Sequence, residues 1–332
     1  MIRHFRLSLA VFAAALAIEG LWLLADGSRP FLRSQETVDL DFPRGTSTQK
    51  IAATLESSGV IRSRITFLAL FYLGGRQTLM AGEYSFEHPA STLDVLRKLE
   101  RGEIAYKVLV IPEGFNRFDI ADAVAAAGFS SREEFLRVSE NHSWIADLDP
   151  HTQNLEGYLF PDTYHFPRKT GPEQIARAMV DRFRAVLSEL KVPASPQPLR
   201  DVVTLASLVE EETAMPEERP RIAAVYRNRL QRGILLQCDP TVIYAALLEN
   251  RFDGVIRQSN LNSASPYNTY VHRGLPPGPI SNPGRASLLA ALRPEPTDYL
   301  YFVASPQGGH TFSRTLSEHN QAVSLYRRSL KQ

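Results

Sequence analysis

The N-terminus constrains this chain more than any other stretch. Arg3, His4 and Arg6 precede an apolar run from Leu7 to about Ala25. That length just spans the hydrocarbon core of a bilayer. Backbone polar groups cannot meet water there, so such a run folds as a helix. Basic residues stay on the cytoplasmic side, which places everything downstream outside the cytoplasm. Glu19 interrupts the run near its outer end, within reach of the interface. Ala15-Leu16-Ala17 also resembles a signal-cleavage site, so a removed export signal is the rival reading. The run continues through Leu21-Trp22-Leu23-Leu24 beyond that site, which favours a single-pass anchor in the inner membrane. Both readings export the remainder to the periplasmic side.

A chain of 332 residues has room for two or three domains. Hydrophobic content of 44% and charged content of 22% suit a buried core. A net charge of +1 gives no footing for a nucleic-acid partner. Cys238 is the only cysteine, which excludes an intrachain disulfide and a cysteine-rich zinc site. His272, His310 and His319 lack metal-ligand spacing, and neither a P-loop nor G-x-S-x-G occurs. No metal or cofactor is expected.

Residues 26–37 read as a polar linker. Val38 to Phe42 then alternates like a strand, and Thr46 to Ser58 carries Ile51, Ala52 and Leu55 on one helical face, with Gly59 as its stop. The unit recurs. Pro43, Gly45, Ile51, Ala52 and Gly59 return in the same register as Pro112, Gly114, Ile120, Ala121 and Gly128, after a second strand at Val108–Ile111. Further helices are expected at Phe67–Leu73, Thr92–Leu99, Ser131–Glu140, Gly171–Lys191, Leu199–Thr213, Glu217–Arg232, Leu288–Leu292 and His319–Arg328. Strands are expected near Ala81–Phe86 and Tyr299–Ala304. Leu155 to Phe166 is aromatic and rigid, and residues 260–283 form a long loop rich in Pro, Gly and Asn, of the kind that often carries function.

The chemistry concentrates in Leu199–Thr213. Val202, Leu205, Ala206 and Val209 form its apolar stripe, and Glu210 falls on the margin of that stripe. Glu211 is expected to point to water and Glu212 to the other flank. A carboxyl beside an apolar face is desolvated, which raises its pKa towards that of a general acid. Three acids at a helix C-terminus also oppose the helix dipole. From periodicity alone, a solvated acidic helix end remains open.

The surrounding motifs are more specific as a set. They run "IPEG" (Ile111 to Gly114), "LEGYLFPDTY" (Leu155 to Tyr164), "ASLVEEET" (Ala206 to Thr213), "YRNRL" (Tyr226 to Leu230), "LQCDPTVIYA" (Leu235 to Ala245), "SPYNTY" (Ser265 to Tyr270), "GLPPGPISNPG" (Gly274 to Gly284) and "GGHTFSRTLSEHN" (Gly308 to Asn320). In this order they resemble the endolytic murein transglycosylases of the YceG-like family, and the strand, Gly-turn, "IA" helix units resemble LysM glycan-binding modules. Cys238 departs from the small polar residue more usual at its position.

The resemblance implies an α+β architecture. A transmembrane helix (1–25) and linker (26–37) lead to LysM-like modules (38–150) and a mainly helical catalytic domain with long ordered loops (151–332). It implies cleavage between N-acetylmuramic acid and N-acetylglucosamine with a 1,6-anhydro product, Glu210 as the single acid/base, and a place beside the penicillin-binding protein synthases. Glu156, Asn228, Gln237, Asp239, Tyr267, Asn268 and Tyr270 are candidate substrate contacts, with loop support as the alternative for each. Two other functions stay open at this level: a non-catalytic glycan-binding scaffold, and a hydrolase of another envelope glycan.

Overall fold

The computed structural model describes residues 18, 20–22, 25–33, 36–191 and 198–330. The expected anchor lies largely outside them. Among the described residues no helix is long and apolar enough to cross a membrane. Contacts gather the chain into two compact units, one reaching to Lys107 and including Phe166–Lys169, the other made of Val108–His165 and Thr170 onward.

In the first unit, β1 (Val38–Phe42), α1 (Thr48–Ser57), α2 (Arg64–Leu73), β2 (Gly82–Phe86) and α3 (Thr92–Arg101) follow one another. β1 and β2 pair antiparallel, with Leu40 opposite Tyr84. Ser47, Ser63 and Ser91 cap the three helices, each accepting a backbone N–H of the first turn, which satisfies a donor that the helix itself cannot. Ile51, Ala52, Leu55, Phe67, Tyr84 and Leu99 fill the core. Arg168 and Lys169 return to bond Asp39 and Asp41 of β1.

The same element order then repeats. β3 (Tyr106–Val110), α4 (Arg117–Ala126), α5 (Arg132–Ser139) and β4 (Thr163–Pro167) succeed each other, and β3 pairs with β4. The repeat seen in the sequence extends to backbone angles. Gly45 and Gly114 sit at φ 85° and 84°, and Gly59 and Gly128 at 72° and 70°. These are left-handed values that side chains disfavour. The division by contacts nevertheless runs through this second repeat, across the 38–150 grouping read from the sequence. The reason is packing: α4 lies on α5, and α5 lies on α6 (Pro172–Glu189) in the second unit.

The second unit continues with α7 (Leu199–Glu212), α8 (Arg219–Gln231), α9 (Asp239–Leu248), α10 (Gln258–Leu261), α11 (Arg285–Leu292), the hairpin β5 (Tyr301–Ala304) and β6 (His310–Ser313), and α12 (Leu316–Ser329). Its organising element is α7, packed by α8, α9 and α11. The sequence suggested an amphipathic helix, but every residue from Val202 to Val209 is buried. Ser207 tolerates burial because its hydroxyl is bonded, whereas the buried Thr204 hydroxyl has no partner among the described residues. Ser207 donates to the Thr204 carbonyl at 2.8 Å and accepts the Ile280 N–H at 3.1 Å, docking the long loop onto the helix. Two short strands escaped the sequence reading, β4 within the aromatic segment and β6 within "GGHTF".

Candidate active site

Helix α7 leaves the core at Glu210, so its three glutamates emerge together at its C-terminal end. They line a cleft of about 580 Å³ whose other walls include Glu113, Gly114 and Arg219. Each carboxyl meets a different environment.

The Glu210 side chain is 4% exposed. One oxygen accepts from Arg219 Nη2 at 2.7 Å and the other from the Gly284 N–H at 2.9 Å. Burial pushes its pKa up, against the Gly284 amide and the Arg219 charge; the nearby Glu113 charge adds to the rise. Glu211 is not simply turned to water. The residue is open to solvent, yet its carboxyl tip lies over Gly114, where a Cβ would stand 3.1 Å from Oε1. Burial of that tip, with the Glu210 charge beside it, pushes its pKa up to about 7. Glu212 is enclosed and accepts from the Tyr226 hydroxyl. Desolvation raises its pKa, against hydrogen bonds from Tyr226 and Cys238.

Two of these neighbours were not singled out from the sequence. Arg219 is buried at the first turn of α8 and reaches Glu113 at 3.4 Å as well as Glu210. A cation there opposes the helix dipole, which gave a weak signal that it has a carboxylate to meet. Glu113 stood in the "IPEG" motif without a role. Its carboxyl occupies the space where a side chain at Gly284 would begin, so a larger residue there would have to displace Glu113.

Glu156 is 2% exposed. Both oxygens accept from the Arg117 N–H at 3.1 Å, Tyr244 Oη donates at 2.9 Å, and Asn282 Nδ2 donates at 2.9 Å. Asn282 also accepts the Gly114 N–H through its carbonyl and the Leu159 N–H through Oδ1. Glu156 therefore ties the 112–117 turn to the 280–284 loop, the two segments that flank Glu210. Burial pushes its pKa up to about 7, opposed first by the Arg117 N–H.

The remaining candidates separate into two groups. Asn228 donates to the carbonyls of Thr297 and Tyr299 at 2.8 and 2.9 Å. Asn268 is fully buried and holds the carbonyls of Leu261 and Ser263. Tyr267 packs on Tyr244, ring centroids 5.1 Å apart. These three support loops. Gln237, Asp239 and Tyr270 instead line a second cleft of about 290 Å³, of which Glu212 is also a wall. His310 is held by Glu218 at 2.7 Å. Among the described residues no group of three or more His, Cys, Asp or Glu could hold a metal ion.

Chemically, the site offers several carboxyls biased towards the protonated form beside a solvent-filled groove. Such groups can donate a proton to a departing oxygen and take one from an attacking hydroxyl.

Known proteins resemble this chain along nearly all its length. A family model described as the YceG-like family matches residues 40–325. A protein of Bacillus subtilis (strain 168) named endolytic murein transglycosylase is 34% identical over 311 residues, covering 88% of this chain and 86% of its own. A protein of the same name from Streptococcus pneumoniae serotype 2 is 28% identical over 357 residues; 97% of this chain aligns with 65% of that longer one. The crystal structure of a YceG-like protein from Listeria monocytogenes superposes with a TM-score of 0.55 at 33% identity, over 87% of this chain and 99% of that one.

Proposed function

This chain belongs to the YceG-like family, and we propose that it is an endolytic murein transglycosylase that cuts peptidoglycan strands between N-acetylmuramic acid and N-acetylglucosamine. The observation that carries the reading is the carboxyl of Glu210, 4% exposed on a groove wall and biased to keep its proton. Glu210 protonates the glycosidic oxygen as the bond to the muramic C1 breaks, releasing the 4-hydroxyl of glucosamine. The resulting carboxylate takes the proton of the muramic 6-hydroxyl as O6 bonds to C1. No water is consumed, the acid is regenerated, and the product is a 1,6-anhydro end. One carboxyl serves both steps, so the second carboxylate of ordinary glycosidases is not required.

One observation favours a second assignment of the donor. Glu210 is paired with Arg219, which stabilises a carboxylate, whereas Glu212 is held by the neutral Tyr226 and Cys238 groups. On that assignment Glu212 is the acid and Glu210 shapes the field around it. Arg219→Gln separates the two. It raises the pKa of Glu210 further, so the alkaline limb of the pH–rate profile moves up if Glu210 titrates and stays put if Glu212 does.

The rest of the reading concerns setting. Residues 1–25 anchor the chain in the inner membrane, 26–37 form a linker, and the catalytic region of 151–332 works on the periplasmic side. The two repeated units over 38–150 hold glycan in the manner of LysM modules, and the second also contributes Glu113 and Gly114 to the groove. Gln237, Asp239 and Tyr270 contact substrate. Cleavage beside the penicillin-binding synthases limits the length of new strands. Mass spectrometry of fragments released from purified peptidoglycan tests the central claim. Anhydro-ended fragments support it, and reducing-ended fragments formed by water attack contradict it.

A further inference from the structure

We propose that α2 of the first unit lies in the bilayer surface, with Ile65, Ala69, Tyr72 and Leu73 among lipid acyl chains and Arg76 at an anionic headgroup. This second lipid contact rests on the reading of residues 1–25 as a membrane anchor and adds to it.

The α2 sequence, RITFLALFYL, is polar only at Arg64, Thr66 and the Tyr72 hydroxyl. A helix apolar on every side normally sits inside a core. This one has a core on one side. Thr66, Phe67 and Phe71 are buried, and Leu68 and Leu70 pack half-buried beside them. At about 100° per residue, Ile65, Ala69, Tyr72 and Leu73 share the opposite side. Ile65 is 71% exposed and Leu73 78%. Among the described residues of the first unit, every exposed large apolar side chain except Met80 and Tyr106 lies on this face or in the apolar run, as Ile18, Leu21 and Trp22 do.

The place of this face in the chain says what covers it. Asp26, directly after the run, accepts from the Thr66 hydroxyl at 2.8 Å and pairs with Arg62 at 3.8 Å. Gly27 lies against Leu70, where a Cβ would stand 2.8 Å from Cδ1. Farther on, the Phe31 N–H donates to the Ala90 carbonyl at 3.0 Å and the Arg33 N–H to the Gly59 carbonyl at 2.9 Å. The chain leaves no slack between the run and α2, so a run that crosses the membrane sets α2 down at its surface.

Charge agrees with that position. Residues 57–82 contain Arg62, Arg64 and Arg76 and no acid. Arg62 and Arg64 face Asp26 and Glu56. Arg76 has no acidic partner among the described residues and lies over the Tyr72 ring, 4.9 Å from its centroid. A ring and a cation at the rim of an apolar face suit the headgroup boundary of an anionic leaflet. A second copy of the chain fits this face less well, because two-fold pairing would bring two sets of arginines together. Ten residues hold a lipid surface weakly by themselves, so α2 acts beside the anchor as a second signal. It keeps the first unit seated on the bilayer.

The test uses full-length protein in vesicles of phosphatidylethanolamine and phosphatidylglycerol. Leu73→Cys carries an environment-sensitive fluorophore; the native Cys238 is buried and does not compete for it. Lipids brominated along their acyl chains should quench this label. They should not quench the same label at Arg101→Cys, at the exposed end of α3. Ile65→Asp brings a carboxylate to the acyl boundary and should cut the quenching about twofold or more. Residues 65, 73 and 101 are all exposed, so these variants should fold. A label at 73 that reports water, equal quenching at 73 and 101, or quenching unaltered by Ile65→Asp overturns the inference. So does a label shielded from water yet untouched by brominated lipid, since protein then covers the face. An alkaline wash of the vesicles reads the anchor separately. Protein that resists the wash with an unquenched label loses only the α2 contact. Protein that is quenched before the wash and released by it loses only the anchor.

Discussion

The two Pro-x-Gly turns share a backbone and differ in employment. At Gly45 a Cβ would meet nothing within 4 Å, whereas at Gly114 it would meet the Glu211 carboxyl. Between Pro and Gly, the first turn carries the exposed Arg44 and the second carries Glu113, which reaches Arg219. The following helices differ too. Ser47 caps α1 with its hydroxyl, while α4 has the Asn116 cap and also the buried Glu156 carboxyl on its first N–H. A single local design therefore yields a plain fold element in one place and a cleft wall in the other. What distinguishes them is the groups brought up against the turn by distant parts of the chain.

The comparison can be broken in four ways. The largest effect is expected where the second turn meets its acids. Glu210→Gln should lower the rate of fragment release by ~10²–10⁴ without loss of fold, as judged by thermal melting, whereas Arg44→Gln should leave the rate unchanged. Retention of activity in the glutamine variant removes Glu210 from the chemistry.

Next come the glycines. Gly45→Ala and Gly114→Ala each force a side chain into a left-handed conformation, at a cost of about 1–3 kcal/mol in stability. Only Gly114→Ala should also depress fragment release, by roughly tenfold, because it displaces Glu211. Equal losses of activity from both would make the turns equivalent after all.

Glu156→Gln tests the tie behind the second turn through pH. Burial holds the folded-state pKa at about 7, above the ordinary 4.5. The stability this group contributes is fully present below the ordinary value and is lost as pH rises through about 7. Glu210, Glu211 and Glu212 are shifted in the same direction. Urea unfolding at about pH 5 and about pH 8 should show wild-type protein weaker at the higher pH, and the variant should show a smaller difference. An unchanged difference would contradict the burial of a titrating Glu156.

The smallest effect belongs to Glu113→Gln. Its carboxyl is 47% exposed, and its charge raises the pKa of Glu210. Removing it should shift the alkaline limb of the pH–rate profile slightly down, opposite in sign to Arg219→Gln. A shift upward would reverse the assigned electrostatics.

The contrast also explains how much could be read from sequence. Local conformation was legible: the Ile-Ala pairs, the glycine stops and the helix around Ala206 all follow from spacing and caps. The emergence of the glutamates at the end of α7 was legible too. Their partners were not. Gly284, which donates to Glu210, lies 74 residues away, and Asn282, which donates to Glu156, lies 126 away. Substrate contact and loop support stayed open for Glu156 because burial of a carboxyl depends on donors supplied by α4, α9 and the long loop. Glu211 looked solvated because helical periodicity assigns a direction relative to the core, and the wall opposite it comes from Gly114.

The all-round burial of α7 has a further meaning for inheritance. A helix gripped on every side has a fixed rotational phase, so the identity of each acid is set by counting residues from the core. Adding or deleting one residue upstream would turn the trio by about 100°, placing a neighbour where Glu210 now meets Arg219. Point substitutions can tune this site, but changes of length within α7 would exchange the roles of its acids outright. Drift in chain length is therefore best absorbed by the loops, and the helix itself acts as a ruler.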